Sequence, residues 1–499
     1  MFLEAFLFIL MGGLLYFLAV HHRKRSRDFP PGPRGLPLIG NLLDMKKFNH
    51  MTMRALAKQY GSIYMLTVLG KKVFVVTDID LAWDALVRKG NTFAGRSLSY
   101  VVSSLNQGQE SLVFGDFGAR WKLLRKVAHS ALRMFGSGIE ILEKKVYREV
   151  DELCFQLSQD QGVPLDPSSL LRISILNVIS SCLFSSRYAK GDKLAEEFIE
   201  MVEGTLHLVG SADLIETFPF IKFLPGEIHT RIRQNVFLRE KLFSSTFQER
   251  KQTYQDGIIR DITDAHIKAL HDVNKEDSNT KGMLSDQCLK NSIIDLLGAG
   301  MDTTATFLTW SFLYLAAFPE VQAKLQQELD DVIGRDCQIQ YQDRSSLPYL
   351  EAFTAEILRH VSFAYAGIPH RVRSDTTLGS FEIPENSQVI FDFRAIHHDP
   401  KHWKDPDTFD PTRFLDPEDG SFICPATLSF LPFGAGPRGC VGQILAKIEM
   451  FLFLGNVLQQ FSLKFPPGSS SPDLEATVED VVRGILEPKP FKVYVSKRD

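Results

Sequence analysis

Cysteine is scarce in this sequence: six residues among 499, standing apart at Cys154, Cys182, Cys288, Cys337, Cys424 and Cys440. No C-x-x-C pair and no regular spacing occurs. That excludes a disulfide framework and favours a reducing compartment in which each thiol has its own role, five of them as small buried hydrophobes. Neither sign of charge is in excess, since 56 basic residues face 60 acidic ones. A dominant polyanion-binding surface is thereby excluded, and nucleic acid with it. No internal repeat and no compositional linker between domains is found. What remains, 44% hydrophobic and 11% aromatic, is an ordinary globular composition with enough chain for a large core.

Charge is also nearly missing from the N-terminus, where Glu4 is the sole charged residue between Phe2 and Val20. As a helix this stretch would span about 28 Å, close to the hydrocarbon thickness of a bilayer. It runs into His21-His22-Arg23-Lys24-Arg25-Ser26-Arg27 without a small-residue cleavage site. Residues 1–20 therefore read as an uncleaved transmembrane anchor with the N-terminus lumenal and the body cytosolic. Residues 21–40 are basic and then proline-rich (Phe29-Pro30-Pro31-Gly32-Pro33), a stiff linker. In the body, residues 41–499, helical spacing dominates from 120 to 330. Strands are expected at 63–77 around the turn Gly70-Lys71-Lys72, and at 377–383, 387–391 and 491–495. The expected fold is one large domain, mainly α with a small β portion (α+β), behind the anchor.

Residues 430–442, Phe-Leu-Pro-Phe-Gly-Ala-Gly-Pro-Arg-Gly-Cys-Val-Gly, are dense in small residues able to approach another object closely. An apolar run from Gln443 to Phe461 follows and reads as a buried helix. Cys440 thus precedes a helix N-terminus, where free amides, the dipole and Arg438 are expected to favour thiolate over thiol. A second long apolar segment, 289–318, carries Asp295 and Asp302, which argue for a helix through a core rather than a membrane span. In its middle stands Ala299-Gly300-Met301-Asp302-Thr303-Thr304. Gly298 and Gly300 weaken a helix, so they predict that something needs space there, and a carboxylate beside a hydroxyl can relay protons. The plainer alternative is that the threonines bond back to the preceding turn.

Phe433, Gly436, Arg438, Cys440 and Gly442 fit F-x-x-G-x-R-x-C-x-G at every defined position, and the chain resembles the cytochrome P-450 superfamily. The resemblance implies that Cys440 is the thiolate ligand of the iron of a noncovalent haem b. It assigns Asp302 and Thr303, in A-G-x-[DE]-T-T, to proton delivery during oxygen activation, with Ala299 and Gly300 leaving room for oxygen and substrate. Glu356, Arg359 and Arg413, in E-x-x-R and F-x-P-x-R-F, would form a buried ion network holding the cysteine loop. Trp121 and Arg125 (W-x-x-x-R), with Arg96, His370 and Arg438, would face the haem propionates. His397, His398 and His402 are rejected as a metal site because Pro400 breaks their spacing.

The stripe Lys122, Lys126, His129 and Arg133 then implies docking of an NADPH-dependent flavoprotein reductase, with a small b-type cytochrome as a further electron partner. The apolar stretch 218–226 would dip into the endoplasmic reticulum membrane and admit lipophilic substrates. By resemblance, residues 97–118, 201–214, 299, 366–368 and 483–486 line the substrate site. The expected activity is NADPH-driven hydroxylation of a steroid-like or planar aromatic molecule. The steroid 17α-hydroxylase and aryl-hydrocarbon hydroxylase families are both similar. Val202 stands where the former carry a hydrogen-bonding asparagine. A lipid-peroxide isomerase working without external electrons and a non-catalytic haem gas sensor are the competing readings.

Overall fold

The structure is a computed structural model that describes residues 12, 28–37, 39–45, 49–97, 99–136, 139–159, 162–210, 222, 226–275, 280–423, 429–468, 474 and 484–498. The anchor expected at 1–20 lies outside the described residues except for residue 12. So do Cys424, Arg483 and nearly all of the stretch 218–226. Among the described residues no helix is long and apolar enough to cross a membrane. The chain divides into two compact units.

The first unit comprises Met1–Ser97, Ala366–Ile396 and Gly436–Arg438. Helix α1 (His50–Tyr60) is capped by Asn49, whose side chain accepts from the Thr52 amide, and ends at Gly61. Strands β1 (Ile63–Val68), β2 (Lys71–Val76), β3 (His370–Arg371) and β6 (Gln388–Phe391) form a sheet in the order β1-β2-β6-β3. The β1–β2 and β3–β6 pairs are antiparallel and β2–β6 is parallel. β4 (Thr376–Leu378) and β5 (Phe381–Ile383) make a separate hairpin. The first hairpin turns at Leu69-Gly70, with φ of 50° and 80°. The two lysines expected in the turn instead pair across it, Lys71 with Val68 and Lys72 with Thr67. A two-residue turn of type I′ needs positive φ at both positions, and Gly70 supplies it at the second without strain.

The second unit is helical: α2 (Ala119–Gly136), α3 (Ile139–Gln159), α4 (Ser168–Phe184), α5 (Lys193–Gly210), α6 (Glu227–Thr253), α7 (Ile262–Lys275), α8 (Asp286–Ala317), α9 (Pro319–Val332), α10 (Pro348–Val361) and α11 (Gln443–Gln460). α8 is its axis. Ser285 caps it by accepting from the Cys288 amide, and Trp310, Phe307, Phe312 and Tyr314 are fully buried along it. A helix apolar on all sides has to be enclosed, and α4 and α11 pack on it. α11 is buried from Ile448 to Gln459 and stops at Gln460. Phe461 opens β7 (Phe461–Lys464), which pairs with β8 (Tyr494–Lys497), a strand beginning three residues later than expected. The alternating burial of Phe461 to Lys464 is a strand pattern that the preceding apolar run conceals. Of the cysteines expected to be buried, Cys154, Cys182 and Cys288 are, while Cys337 is exposed.

Candidate active site

In the second unit the cysteine loop closes on itself. The Gly434 amide donates to Leu431 O at 3.0 Å and the Cys440 amide to Phe433 O at 2.8 Å. Gly442 is the N-cap of α11, and its amide hydrogen-bonds Cys440. Cys440 keeps open surface. Its thiol is nevertheless pushed up from the usual range by burial, which outweighs the Gly442 amide and the Arg125 cation pulling the other way. The helix terminus alone therefore does not make a thiolate here. A metal bound at this sulfur would take the proton's place. Arg125, on α2, donates from Nη2 to Gly439 O at 2.5 Å and stacks 5.5 Å from the Trp121 ring. The Trp121 indole N–H donates to Leu112 O at 2.9 Å. Phe433 is half-buried with Lys447 Nζ 5.8 Å from its ring centre.

In the first unit, Gly436 has φ +68°, and a Cβ there would lie 1.8 Å from Leu86 O, so only glycine fits. Arg438 Nε donates to Ala94 O at 2.8 Å, and Arg96 Nη1 to Pro369 O at 3.0 Å. His370 Nδ1 sits 2.7 Å from Phe93 O, which can only accept, so Nδ1 carries the proton. Burial first, and then Arg96 and Arg438, hold His370 far below its ordinary pKa. Two guanidinium groups around a buried imidazole make a place for anionic oxygen.

On α8, Ala299 is exposed and Thr303 half-buried although the helix around them is enclosed, so one face of its middle is open. The Thr303 hydroxyl bonds back to Ala299 O at 2.6 Å, and Thr304 Oγ1 donates to Glu449 Oε2 at 3.1 Å. Asp302 is buried, within the field of Arg172 on α4. Arg172 in turn bridges Glu203 on α5 and Glu487, the latter at 2.8 Å. Gly300 serves helix packing. A Cβ on Gly300 would come within 3.2 Å of Ile179 on α4, and one on Gly298 within 3.7 Å of Val202 on α5. At Gly300 the expected room is filled by α4, at Gly298 a Cβ would make only ordinary contact, and the open surface is at Ala299.

The expected ion network is present. Arg359 Nε and Nη2 reach Glu356 Oε2 and Oε1 at 2.7 and 2.8 Å, and Arg413 Nε reaches Oε1 at 3.1 Å. Other buried groups gave no motif to read. Arg239 donates to Asn235 Oδ1 (2.9 Å), Thr205 Oγ1 (3.0 Å) and Asn106 Oδ1 (3.2 Å), the last 133 positions away in the chain. Glu449 is equally silent in sequence, and His397 stood out only in the histidine group rejected as a metal site. The Asp295 carboxyl accepts from the Val113 amide at 2.7 Å, and burial raises it to about 6.

Comparison with known proteins matches residues 30–495 to the cytochrome P-450 family model. The chain belongs to the cytochrome P-450 family. It is 38% identical over 487 residues to the steroid 17-alpha-hydroxylase/17,20 lyase of Ictalurus punctatus, covering 97% of this chain and 94% of the relative. With the enzyme of the same description from Gallus gallus it shares 37% over 478 residues, 95% of this chain and 92% of that one. A zebra fish cytochrome P-450, in a structure with progesterone, superposes with a TM-score of 0.79 at 33% identity, covering 90% of this chain and 99% of that one. The fold is therefore the mainly helical cytochrome P-450 fold with its small sheet portion. The activity is that of a monooxygenase dependent on haem b and on NADPH electrons delivered by a reductase.

The residues present fit that group. In the second unit, a cysteine with exposed surface and an amide on its sulfur suits a metal thiolate, and the open face at Ala299 leaves surface for a ligand; in the first unit, taken by itself, the Arg96–His370–Arg438 cluster suits carboxylates.

Proposed function

We propose that this chain hydroxylates a steroid, with Cys440 as the iron ligand. The observation that carries the assignment is Cys440, which keeps exposed surface while its sulfur accepts the Gly442 amide at the start of α11. Haem, when bound, supplies thiolate-promoted cleavage of the O–O bond. The chain's own residues do the rest. Arg125, Arg96, Arg438 and His370 would neutralise the propionates, Phe433 and Gly436 would lie against the porphyrin, and Trp121 would brace Arg125 by its ring. Asp302 would take protons from solvent and pass them to the Thr303 hydroxyl. Ala299 would leave its helix face open to a flat hydrocarbon.

A steroid is favoured over a planar aromatic because the relatives, 34–38% identical over nearly their whole length, carry steroid 17-alpha-hydroxylase names. Val202, buried on α5, offers an incoming steroid oxygen no hydrogen bond. The preferred steroid and the carbon attacked would then differ from those of relatives with a polar residue there. Residues 1–20 would anchor the chain in the endoplasmic reticulum membrane. The exposed Lys122, Lys126, His129 and Arg133 would dock the flavoprotein reductase and, in turn, a small b-type cytochrome.

The test is the reduced, carbon-monoxide-bound spectrum, expected at about 450 nm in wild type and lost in Cys440→Ser. Product analysis with progesterone, other steroids and polycyclic aromatics, with reductase and NADPH supplied, then decides the substrate. Turnover confined to the aromatics would reject the steroid assignment.

A further inference from the structure

One buried side chain at the edge of the cysteine loop has no part in the chemistry above. His397 is 1% exposed, and its polar atoms are engaged within the second unit. Its Nε2 lies 2.9 Å from the Leu431 amide, which can only donate, so Nε2 is unprotonated. The ring proton is therefore on Nδ1, 2.8 Å from Ser362 Oγ. That hydroxyl donates its own proton to Arg359 O at 2.6 Å and accepts from the ring. The carbonyl of His397 takes Arg359 Nη1 at 2.9 Å. The imidazole is thus fixed as one neutral tautomer by partners on both sides.

Its position gives this consequence. Leu431 opens the turn whose next members are Phe433 and Cys440, joined amide to carbonyl at 2.8 Å. Arg359 reaches Glu356, the carbonyls of His397 and Pro406, and the face of Trp403 at 5.2 Å. The two rings beside it carry the connection onward. Trp403 Nε1 donates to Ser429 O at 3.3 Å, and His397 Nε2 accepts from Leu431. The Phe430 ring fills the space between them, 5.6 Å from His397 and 6.4 Å from Trp403.

We propose that His397 is a positioning residue for the cysteine ligand: a neutral imidazole that carries the Glu356–Arg359 anchor to the Leu431 amide, and so to the loop presenting Cys440. The proposal rests on the reading of Cys440 as the iron ligand.

The test uses the full-length, haem-loaded chain and compares wild type with His397→Phe, His397→Gln and Ser362→Ala. The readout is the rate at which the reduced, carbon-monoxide-bound band at about 450 nm gives way to a shorter-wavelength form, with total haem followed separately. Phenylalanine keeps the ring without the acceptor, and glutamine restores an acceptor oxygen near the place of Nε2. His397→Phe is expected to lose the band on the order of tenfold faster than wild type, as befits one buried amide left without its acceptor. His397→Gln recovers most of the loss, and Ser362→Ala, which releases the tautomer but keeps the Leu431 bond, falls between.

A His397→Phe chain that holds its band as long as wild type overturns the proposal. So does a glutamine variant no better than phenylalanine, because volume rather than the acceptor would then matter. If His397→Phe does not fold, Ser362→Ala decides alone, and a wild-type rate there overturns the proposal. Absence of the band from wild type would refute the role of Cys440 instead, so the two failures are told apart.

Discussion

Glu449 stands at the centre of the helical core with a threonine hydroxyl on one carboxyl oxygen, and burial pushes it from 4.5 up to about 8. The native chain therefore keeps a proton that the unfolded chain has already lost throughout the interval from 4.5 to about 8. Stability falls as pH rises across that interval, because the unfolded state binds fewer protons, and levels off above it. Glu449→Gln removes the ionisation while keeping an oxygen for Thr304. The variant is expected to melt above wild type at alkaline pH, with the difference shrinking to nothing near pH 4.5, and thermal unfolding followed against pH measures it. His370 acts in the opposite sense: its folded value lies well below 6.5. Its contribution is complete above that value and is lost as pH falls below it. Anionic propionates beside Arg96 and Arg438 would offset the two guanidinium groups. Haem loading is therefore expected to raise the pKa of His370, read by ring nitrogen NMR shifts in apo and loaded protein.

Among the elements, α8 shows how two glycines two residues apart can have opposite tolerance. A Cβ on Gly298 would make ordinary contact with Val202 at 3.7 and 3.8 Å, whereas one on Gly300 already presses on Ile179 at 3.2 and 3.3 Å. Gly298→Ala is expected to stabilise the protein by about 0.5–1 kcal/mol through helix propensity. Gly300→Val, which adds bulk where α4 already crowds α8, is expected to cost about 1–3 kcal/mol. Chemical denaturation of the pair checks both signs, and equal effects would sink the packing account. This contrast also marks where sequence reading stops. The glycines signalled that space was needed, but α4 and α5 lie far from α8 in the chain, so which object needed the space was not written locally. The Leu69-Gly70 turn began one residue earlier than expected, since lysines are equally at home in a polar turn and at the exposed start of a strand. By contrast the Glu356–Arg359 pair was legible, because partners three residues apart on a helix share a face by geometry alone.

For the whole molecule, the legible part was what recurs at fixed spacing: the cysteine loop ahead of α11 and the ion network. The Arg239 network and the His397 bridge each draw on side chains from segments distant in sequence, and only folding brings them together. The surface stripe on α2 belongs to the first kind. Lys122, Lys126, His129 and Arg133 recur at helical spacing and are all exposed, while Trp121, Leu124, Ala128 and Ala131 of the same helix are buried. A cationic face contributes chiefly to the rate of encounter with an acidic partner, and its effect fades as salt screens it. Reversing three charges together, Lys122→Glu, Lys126→Glu and Arg133→Glu, leaves the buried face of α2 and Arg125 untouched. The reversed protein should keep the wild-type carbon-monoxide spectrum. Its KM for the reductase should rise on the order of tenfold at low ionic strength, with the difference narrowing as salt is added. Steady-state NADPH oxidation against reductase concentration at several salt concentrations measures this. A KM that stays at the wild-type value at low salt would move the docking surface off α2.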